Sequence, residues 1–497
     1  MTPVPLAAPA LDPGSGEPLY QQLAAWLRGE IEQGRLRPGD RLPPTRELSA
    51  RLGLNRATVA AAYEILESRG LITGQVGRGS FVSGAMEPAP PADPWSWEQR
   101  LGPEEQGAQL DPPAAGVEFR FDSSRPAAEL FPASEFRAAC EEALRHQTRR
   151  ILELGSPLGY GPLRQYLLEE SSRLGLLGRA DDLIVTSGCQ QAFDLLERVL
   201  VGPGDTVLVE DPIYPGLRNV FQTGRGRVSG VPVGSAGLDL DALERAIARQ
   251  RPKLLVVTPN FQNPTGATMP EDARRRLLRL AEAARLPVIE NDIYGDLRYR
   301  GQPQPALKEL DRSGLVIRIK SLSKLAFPGL RVGWILASGA LIRRLAERKQ
   351  LADLHSDQLA QAVLLRFMES GRMESHRKRV VRAGAARLDA VLKACEAFLP
   401  PGSDFTRPEG GVNLWATLPA PLDTAALLER AAARGVSYLP GRVFAVDRDA
   451  RHALRLSYAG LDPAHIQAGI ERLGALFREE LGQIRPVRAA GLAPALV

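Results

Sequence analysis

Five short runs of aliphatic and β-branched residues alternate with helical segments through the middle of the chain. They are 182-DLIVTS-187, 206-TVLVED-211, 254-LLVVTP-259, 287-PVIEND-292 and 315-LVIRIK-320. Strands that are buried on both faces of a parallel sheet have this continuous apolar character, and helices must cover them. From about residue 118 onward we therefore expect an α/β domain with a mostly parallel sheet and helices on both of its faces.

The C-terminal part of the chain has a more mixed pattern, which predicts a smaller domain. Over residues 385–480, the strand-like runs 412-VNLWATL-418 and 453-ALRLSYA-459 lie among helical segments, as in an α+β domain. We take residues 118–484 as one body that contains this smaller domain. We expect residues 485–497 to be disordered.

The N-terminal part of the chain is organised differently, as three short helices followed by a hairpin. A helix is predicted over residues 19–33, a second begins at Thr45, and a third begins after Asn55, whose side chain can cap it. A glycine stops the third helix, and 76-VGRG-79 joins two short strands as a β-hairpin. This order predicts a winged helix-turn-helix domain over residues 16–83.

In a helix-turn-helix domain, the second helix of the motif enters the major groove of DNA and presents its first residues to the base edges. Side chains that could contact bases or phosphates are Arg46, Asn55, Arg56, Thr58 and, at the tip of the hairpin, Arg78. The net charge of +5 permits DNA binding without establishing it. We therefore expect double-stranded DNA as a partner because of the motif rather than because of the charge.

Segments of biased composition flank and separate these two parts. Residues 1–15 predict a flexible arm, and residues 84–117 predict a proline-rich linker, with a helix around residues 95–101 as the alternative. The chain has no apolar run of about 18 residues and no secretory signal, so we expect a cytoplasmic protein without a membrane span. The cysteines and histidines are scattered, so neither a disulfide framework nor a metal site is expected.

Residues with particular chemistry follow the predicted strands, and the first group surrounds a lysine. In 321-SLSKLAFPGLRVGW-334, Lys324 supplies a primary amine between Ser321 and Ser323, and Arg331 follows seven residues later. A lysine amine can form a Schiff base with an aldehyde, and a guanidinium can bind a phosphate through two hydrogen bonds. Taken alone, a lysine beside serines is typical of a solvated loop, so the interpretation depends on further motifs.

The second group lies where a strand leads into a helix, in 185-VTSGCQQAFDLL-196. Backbone N–H groups at the start of a helix bind anions, and here they belong to Gly188, Cys189 and Gln190. Farther along, Tyr214 follows another strand end between two prolines. Its ring could stack on a planar ligand, although a rim aromatic is nearly as good an interpretation.

The third group of residues could bind the polar atoms of a planar aromatic ligand. Asn263, in 258-TPNFQNPTG-266, lies in a turn that two prolines make rigid. In 287-PVIENDIYGDL-297, a carboxylate could hold a ring nitrogen protonated, and Tyr294 could donate to a phenolic oxygen. Arg455, in a later strand, could bind a carboxylate of the substrate.

Together these groups match the four requirements of pyridoxal 5'-phosphate (PLP). They supply an amine for the Schiff base, a cradle for the phosphate, an anion near the pyridine nitrogen and a sandwich for the ring. Their order and spacing resemble the fold-type I aminotransferases of class I and II over about residues 118–480. The resemblance implies that Lys324 bonds to PLP, that Arg331 and Ser321 hold its phosphate, and that Arg455 takes the carboxylate of the substrate.

The same resemblance implies a homodimer with shared sites. Tyr160, in 159-GYGPL-163, corresponds to the tyrosine that reaches the phosphate in the partner subunit. Arg125, in 123-SSRPAAELFP-132, corresponds to a residue near the substrate.

One departure from the family pattern concerns the pyridine nitrogen. Many relatives place aspartate directly after the glutamate of the strand end, but this chain has Asn291 there and Asp292 next. Because an amide cannot supply a negative charge, we expect Asp292 to contact the nitrogen. Neighbouring residues of a strand face opposite ways, so Asn291 is the alternative.

Residues 18–83 resemble the GntR winged-helix family. The matching residues include Pro43, Arg46, Leu52-Gly53, Arg56, Thr58-Val59, Ala62-Tyr63, Leu66, Gly70 and the wing Gly77-x-Gly79-x-Phe81-Val82. A GntR-type head joined to an aminotransferase-like body is the architecture of MocR (GabR-like) regulators. The resemblance implies a transcriptional regulator that binds PLP and senses an amino compound or PLP itself, and that forms a head-to-tail homodimer.

Two other functions stay open at this point. The chain could be a working aminotransferase with an accessory DNA-binding head, since the predicted pocket is complete. Alternatively, the body could be a dimerisation scaffold without a coenzyme. The presence of Lys324, Arg331 and Asn263 argues against a scaffold.

Overall fold

The computed structural model describes residues 9, 11–12, 15, 18–75, 79–83, 116–224 and 226–483. These residues form two compact units, one within Met1–Glu105 and one within Gln106–Val497, which we call the head and the body. The expected arm and linker fall largely outside the described residues, and the expected tail and Arg78 fall outside them altogether. No helix among the described residues is both long and apolar enough to cross a bilayer.

The head contains three helices and a two-stranded hairpin, so the predicted winged helix is confirmed. Its elements are α1 Leu19–Glu32, α2 Thr45–Leu52, α3 Arg56–Ser68, β1 Ile72–Gln75 and β2 Gly79–Val82. One apolar core joins all five elements. Its buried side chains include Leu23, Leu27, Ile31, Leu48, Val59, Ala62, Tyr63, Leu66, Ile72 and Val82.

Local hydrogen bonds set the geometry of the turn between α2 and α3. Gly53 follows α2 with a positive φ of 64°, which a residue without a side chain adopts most easily. The Asn55 side chain caps α3 by accepting a hydrogen bond from the Ala57 backbone N–H at 3.0 Å. The Tyr63 hydroxyl donates to the Pro43 carbonyl oxygen at 2.7 Å. These contacts fix α3, the helix expected to enter the major groove, against the rest of the head.

The body contains a large sheet, a smaller sheet and helices around both. Its strands are β3 Phe119–Arg120, β4 Asp181–Thr186, β5 Thr206–Asp211, β6 Arg227–Gly234, β7 Gly237–Leu238, β8 Leu254–Val257, β9 Val288–Asn291, β10 Val316–Ser321, β11 Gly333–Ser338, β12 Asp404–Phe405, β13 Asn413–Thr417, β14 Val436–Ser437, β15 Leu439–Pro440 and β16 Ala453–Ser457. Its α-helices are α4 Ala133–Leu152, α5 Gly161–Arg173, α6 Gly188–Leu200, α7 Pro215–Thr223, α8 Leu240–Gln250, α9 Glu271–Ala284, α10 Leu307–Leu310, α11 Gly339–Asp353, α12 Gln358–Glu369, α13 Arg372–Phe398, α14 Leu428–Ala433 and α15 Pro463–Gln483.

The large sheet has eight strands in the order β4-β11-β10-β9-β8-β5-β6-β7. The five central strands from β10 to β6 are mutually parallel, so the mostly parallel sheet that the sequence predicts is confirmed. β11 runs antiparallel to both of its neighbours, β4 and β10. The predicted apolar runs became β4, β5, β8, β9 and β10, whereas the reversed strand β11 was not among them.

The smaller domain is built around the sheet β12-β13-β16-β15, in which neighbouring strands are antiparallel. The two predicted strand runs of this region correspond to β13 and β16. A second, two-stranded sheet pairs β14 in parallel with β3, which lies at the start of the body. Phe119 and Phe121 consequently belong to the same buried core as Val436, Ile470 and Phe477. The smaller domain therefore includes residues from before the large sheet.

Candidate active site

An anion cradle lies at the start of α6. Gly188 has a φ of +78°, and a Cβ atom placed on it would lie 2.5 Å from Nη2 of Arg331. The guanidinium of Arg331 thus occupies the space that a side chain at Gly188 would fill. The Ser187 side chain makes no capping hydrogen bond to α6, so the helix presents its first N–H groups beside this guanidinium. Backbone N–H groups, the helix dipole and a guanidinium together suit a phosphate.

Two hydroxyl groups and a thiol border the cradle. The Ser321 hydroxyl donates to the Val332 carbonyl oxygen at 2.8 Å, and its oxygen lies 2.8 Å from that of the Ser323 hydroxyl. Burial raises the pKa of the Cys189 thiol to about 12, although a hydrogen bond with Ser321 opposes the shift. Cys189 is therefore a neutral thiol near pH 7, and it adds no charge to the cradle.

Lys324 lies among several cationic groups. Its Nζ donates to the carbonyl oxygen of Ser124 at 3.1 Å. Burial, which is the largest cause, and the positive charges of Arg455, Arg125 and Arg331 together lower the pKa of Lys324 to about 8. A sizeable fraction of this amine is therefore neutral near pH 7.5, and the neutral amine is the form that attacks a carbonyl carbon.

Asn263, Tyr294 and Arg455 form a buried hydrogen-bonded chain. Nδ2 of Asn263 donates to the Tyr294 hydroxyl at 3.3 Å, and Nη1 of Arg455 donates to Oδ1 of Asn263 at 3.4 Å. Burial lowers the pKa of Arg455 to about 10, so the group remains a cation near neutral pH. Its Nε is buried and has no hydrogen-bond partner among the described residues. This arrangement can receive an anion.

Tyr214 lies at the edge of the same group. Its side chain is 43% exposed, and its ring packs over Gly216, where an added Cβ would lie 2.6 Å from a ring carbon. Electrostatic interactions connect Tyr214 with Arg455 and Tyr294. The ring is thus close to the buried chain and open on one side, as a stacking residue requires. Its stacking on a coenzyme stays a prediction.

The side chains of Asn291 and Asp292 have different partners. The Asp292 carboxylate accepts a hydrogen bond from Asn260 at 3.2 Å and forms an ion pair with Arg318. Burial by itself would raise the pKa of Asp292, but the charges of Lys320 and Arg318 outweigh burial and hold that pKa below its usual value. In contrast, Oδ1 of Asn291 is buried without a hydrogen-bond partner among the described residues.

Three other predicted site residues make contacts outside the hydrogen-bonded group of Asn263, Tyr294 and Arg455. The Gln190 side chain donates to the Gly216 carbonyl oxygen at 3.1 Å, so only its backbone N–H is available for an anion. The Tyr160 hydroxyl donates to Oε1 of Gln147 at 2.9 Å, and its predicted role in a partner subunit stays a prediction. Arg125 is exposed and is close enough to Lys324 to lower its pKa.

The predicted DNA contacts lie on the exposed side of the head. Arg46 and Arg56 are exposed near the starts of α2 and α3, Thr58 is half-buried, and Asn55 is engaged as the cap of α3. The sequence interpretation did not single out Arg41. An added Cβ on Gly79, the first residue of the wing strand β2, would lie 3.1 Å from Nε of Arg41, so this arginine lies beside the wing. Arg41 lies in the segment between α1 and α2 and forms an isolated β-bridge with Phe81 of the wing; an arginine so close to the helix-turn-helix is a signal that could have found it.

The residues present fit PLP on observations of this structure. The cradle at Gly188 has the space and the cationic partner that a phosphate needs, and Lys324 has a depressed pKa. Arg455 supplies a buried cation at the opposite end of the group. The fold and this cluster define an aminotransferase-type body that is carried by the same chain as a winged-helix head.

Comparisons with known proteins give the same division of the chain. Residues 131–473 match the family "Aminotransferase class I and II", and residues 19–82 match "Bacterial regulatory proteins, gntR family". The HTH-type transcriptional regulator TauR of Rhodobacter capsulatus is 32% identical, and the alignment covers 96% of this chain and 100% of TauR. The probable rhizopine catabolism regulatory protein MocR of Rhizobium meliloti is 29% identical over 94% of this chain and 95% of that protein.

Among solved structures, the α-aminoadipate aminotransferase LysN of Thermus thermophilus is similar to the body. It has a TM-score of 0.72 and 34% identity, and the match covers 78% of this chain and 99% of LysN. That structure was determined in complex with N-(5'-phosphopyridoxyl)-L-leucine. Enzymes of this kind thus match the body alone, whereas the regulators match nearly the whole chain. The chain belongs to the aminotransferase class I and II family and, with its gntR-family DNA-binding head, to the MocR-type group of GntR regulators.

Proposed function

We propose that this protein is a sequence-specific DNA-binding transcriptional regulator whose body binds PLP through Lys324 and senses an amino compound or PLP itself. The proposal rests on one observation: a single chain contains both a winged-helix head and a body with a cluster of residues that suits PLP. The head has an exposed recognition helix, and the body has the cradle of Gly188 and Arg331 beside Lys324 and Arg455. The regulators TauR and MocR, which this chain matches nearly from end to end, support regulation as the role.

Each part of PLP has a candidate partner in the body. When bound, PLP would supply an electrophilic carbon at which an incoming amine can exchange with Lys324. Gly188 and Arg331, together with Ser321, would hold the phosphate. Asn263 and Tyr294 would donate hydrogen bonds to the phenolic oxygen, and the ring of Tyr214 would cover one face.

Arg455 determines which amines bind best in this proposal. Its guanidinium is buried and keeps an unpartnered Nε, so a carboxylate would relieve a desolvated cation. An α-amino acid carries the amine and the carboxylate that Lys324 and Arg455 require. An amine without a carboxylate would leave Arg455 uncompensated. We therefore expect effectors that carry both groups.

The effector acts on DNA binding only if it prefers one state of the protein. A coupling free energy of about 1–3 kcal/mol would change the affinity for DNA roughly 5- to 150-fold. With PLP bound, an incoming amine would release the Lys324 amino group, and the carboxylate of that amine would engage Arg455. We infer that these two changes bias the smaller domain toward a closed state, to which the head is coupled.

A head-to-tail homodimer would complete the proposed site. Tyr160 would change partners from Gln147 to the phosphate in the second subunit. The Gln358 side chain donates to the backbone of residues 151 and 153, so the end of α4 adjoins the start of α12. Large apolar side chains are exposed around this junction, and contiguous exposed apolar surface marks interfaces. They are Leu152, Leu154, Leu351, Leu354 and Leu359. Because a regulator of this kind acts on DNA, we propose that the protein lies in the cytoplasm.

Absorbance spectroscopy on the purified chain tests the coenzyme part of this proposal. Adding PLP should produce a visible band that excess amine shifts and that Lys324→Ala abolishes. Lys253→Ala is a suitable control, since Lys253 lies at the surface and its substitution should leave the band intact. An unchanged spectrum on adding PLP to the wild-type chain would refute the assignment.

DNA titrations test the regulatory part. The affinity for operator fragments should fall steeply with salt, because lysine and arginine release counterions from phosphates. Arg56→Ala should weaken specific binding far more than Arg275→Ala, which alters a surface arginine of α9. The effector should change the affinity by several-fold in the wild-type chain and not in Lys324→Ala.

A second candidate function is aminotransferase turnover, which the depressed pKa of Lys324 and the buried cation of Arg455 favour. Incubation with an amino acid and a 2-oxo acid distinguishes the two functions. Sustained turnover at rates of about 1–1,000 per second, without sequence-specific DNA binding, would favour the enzyme. Slow or single-turnover exchange with specific DNA binding would favour the regulator.

A further inference from the structure

The two faces of the large sheet separate Asn291 from Asp292. On β9, Ile289 belongs to the apolar core that also contains Ile317 and Ile319 of β10, whereas Val288 belongs to a different core on the other face. Side chains alternate along a strand. Asn291 therefore points to the face of Ile289, and Asp292 follows on the face of Val288.

The face of Asn291 is the one that carries the anion cradle. In the parallel register, Asn291 lies opposite Ile319, and Ser321 lies two residues beyond Ile319 on the same face. That face packs against α6, whose Ala192 and Phe193 belong to the same core. The Asn291 side chain and the start of α6 thus lie on one side of the sheet, at the carboxyl ends of the parallel strands.

Only one end of the Asn291 amide has a partner. Nδ2 donates to Oγ1 of Thr258 at 3.1 Å, and Thr258 in turn hydrogen-bonds with the buried Glu210. Oδ1 is buried and has no partner among the described residues. A buried amide oxygen without a hydrogen bond is unfavourable, so this atom points to a polar ligand that it is built to meet.

The Asp292 carboxylate is engaged elsewhere. One oxygen accepts from Asn260, and the other is paired with Arg318 and lies 3.6 Å from Nζ of Lys320. Arg318 also faces Glu290, with Nε of the arginine 3.8 Å from its carboxylate. Asp292 thus belongs to a buried charge cluster on the opposite face. Withdrawing it would leave Arg318 without its closest anion.

We propose that Asn291, and not Asp292, contacts the pyridine nitrogen of PLP. This inference rests on the proposed function, because it assumes that PLP occupies the body. It replaces the sequence interpretation, which favoured Asp292 for its charge. Oδ1 of Asn291 can only accept a hydrogen bond, so it would meet the protonated ring nitrogen, but a neutral amide holds that proton less strongly than a carboxylate does.

A neutral contact to the ring nitrogen affects the two reactions that the site could support in different ways. Exchange of Lys324 for an incoming amine depends on the electrophilic carbon and on a neutral attacking amine, so it is retained. Removal of the proton from the α-carbon of a bound amino acid depends on a ring that withdraws electrons, so it is slowed. Such a site captures amines reversibly and turns them over poorly, which suits a sensor.

The test follows the protonation of the ring nitrogen directly. PLP labelled with ¹⁵N in the ring is bound to the wild-type chain and to two variants, and the ¹⁵N chemical shift is measured against pH. Asn291→Asp should raise the pKa of the ring nitrogen by about 1–3 units, since an opposite charge within about 4–6 Å has an effect of that size. Asp292→Asn should leave this pKa within a few tenths of a unit of the wild-type value.

The reverse pattern overturns the inference. If Asp292→Asn lowers the pKa of the ring nitrogen, or if Asn291→Asp does not move it, then Asp292 is the contact. Either variant that folds and binds PLP shows by itself which residue contacts the pyridine nitrogen, so the test does not depend on both variants folding. Wild-type protein that takes up no labelled PLP refutes the proposed function instead. The two failures are therefore distinguishable.

Discussion

Replacing Gly188 with alanine tests whether the cradle at α6 binds the phosphate of PLP. The added Cβ would lie 2.5 Å from Nη2 and 3.0 Å from Cζ of Arg331. No rotamer change of alanine relieves this overlap, so the guanidinium must leave its place. Gly188→Ala should therefore weaken PLP binding without altering Lys324, which would form the covalent bond in the proposed function.

The expected loss follows from the displaced guanidinium. A hydrogen bond to a charged group contributes about 1.5–3 kcal/mol, and each 1.4 kcal/mol is roughly a factor of ten in affinity. PLP affinity should therefore fall about 10- to 100-fold. The positive φ of 78° adds a separate penalty of about 1–2 kcal/mol to folding, which both the free and the PLP-bound chain experience.

Gly175→Ala is the matched control for the backbone penalty. Gly175 follows α5 with a φ of +69°, and its added Cβ would meet no atom within 4 Å. Both variants should lose similar stability in chemical denaturation without PLP, but only Gly188→Ala should lose affinity in a PLP titration that is read by visible absorbance. Wild-type PLP affinity in Gly188→Ala, or an equal loss in Gly175→Ala, would contradict the role of the cradle.

Three further predictions concern Lys324, the charge cluster of Asp292 and the cap of α3. Because the pKa of Lys324 is lowered to about 8, the rate of covalent PLP attachment should rise with pH and level off above about 8; a profile that still rises toward 10.5, the ordinary value, would contradict this. Arg318→Ala removes the nearest cation of the buried Asp292 carboxylate and leaves Lys320 at 3.6 Å, so it should reduce the free energy of unfolding by no more than about 3–5 kcal/mol. The pKa of Asp292 is held below its ordinary value of 3.8, so the stability that the ion pair contributes should be present above pH 4 and lost as the pH falls through the folded-state pKa. Denaturation curves of the wild type and the variant at several pH values measure this contribution. An equal loss of stability at all pH values would be inconsistent with the ion pair. Asn55→Ala removes the hydrogen bond to Ala57 and should destabilise the head by about 1 kcal/mol in thermal unfolding, whereas Asn55→Asp keeps an acceptor and should not.

The head could be predicted almost completely from the sequence. The start of α3 depends on a side chain and a backbone N–H two residues apart, Asn55 and Ala57, and the turn before it depends on Gly53. The wing follows from two short strands joined by glycines. Each of these features is decided within a few residues, so a pattern along the chain contains the information.

The residue types of the site could also be predicted from the sequence, but their arrangement in space could not. Motifs predict Lys324, Arg331 and Asn263 as site residues because few residue types can perform the functions that we propose for them. The approach of Arg331 to Gly188 connects residues that are far apart in the sequence, and the motifs that contain them predict no contact between the two. The position of Arg41 beside Gly79 likewise depends on how the segment between α1 and α2 packs against the wing.

The order of residues by itself determined the elements of the head, the five apolar strands of the large sheet and the residue types that suit a coenzyme, because these depend on local patterns and residue type. Tertiary structure decided the reversed direction of β11, the entry of Phe119 and Phe121 into the C-terminal core, and the opposite surroundings of Asn291 and Asp292. Those outcomes depend on which face of a strand meets which distant helix or charge. The adjacent residues Asn291 and Asp292 differ in their surroundings because the Asp292 carboxylate pairs with Arg318 on the far side of the sheet.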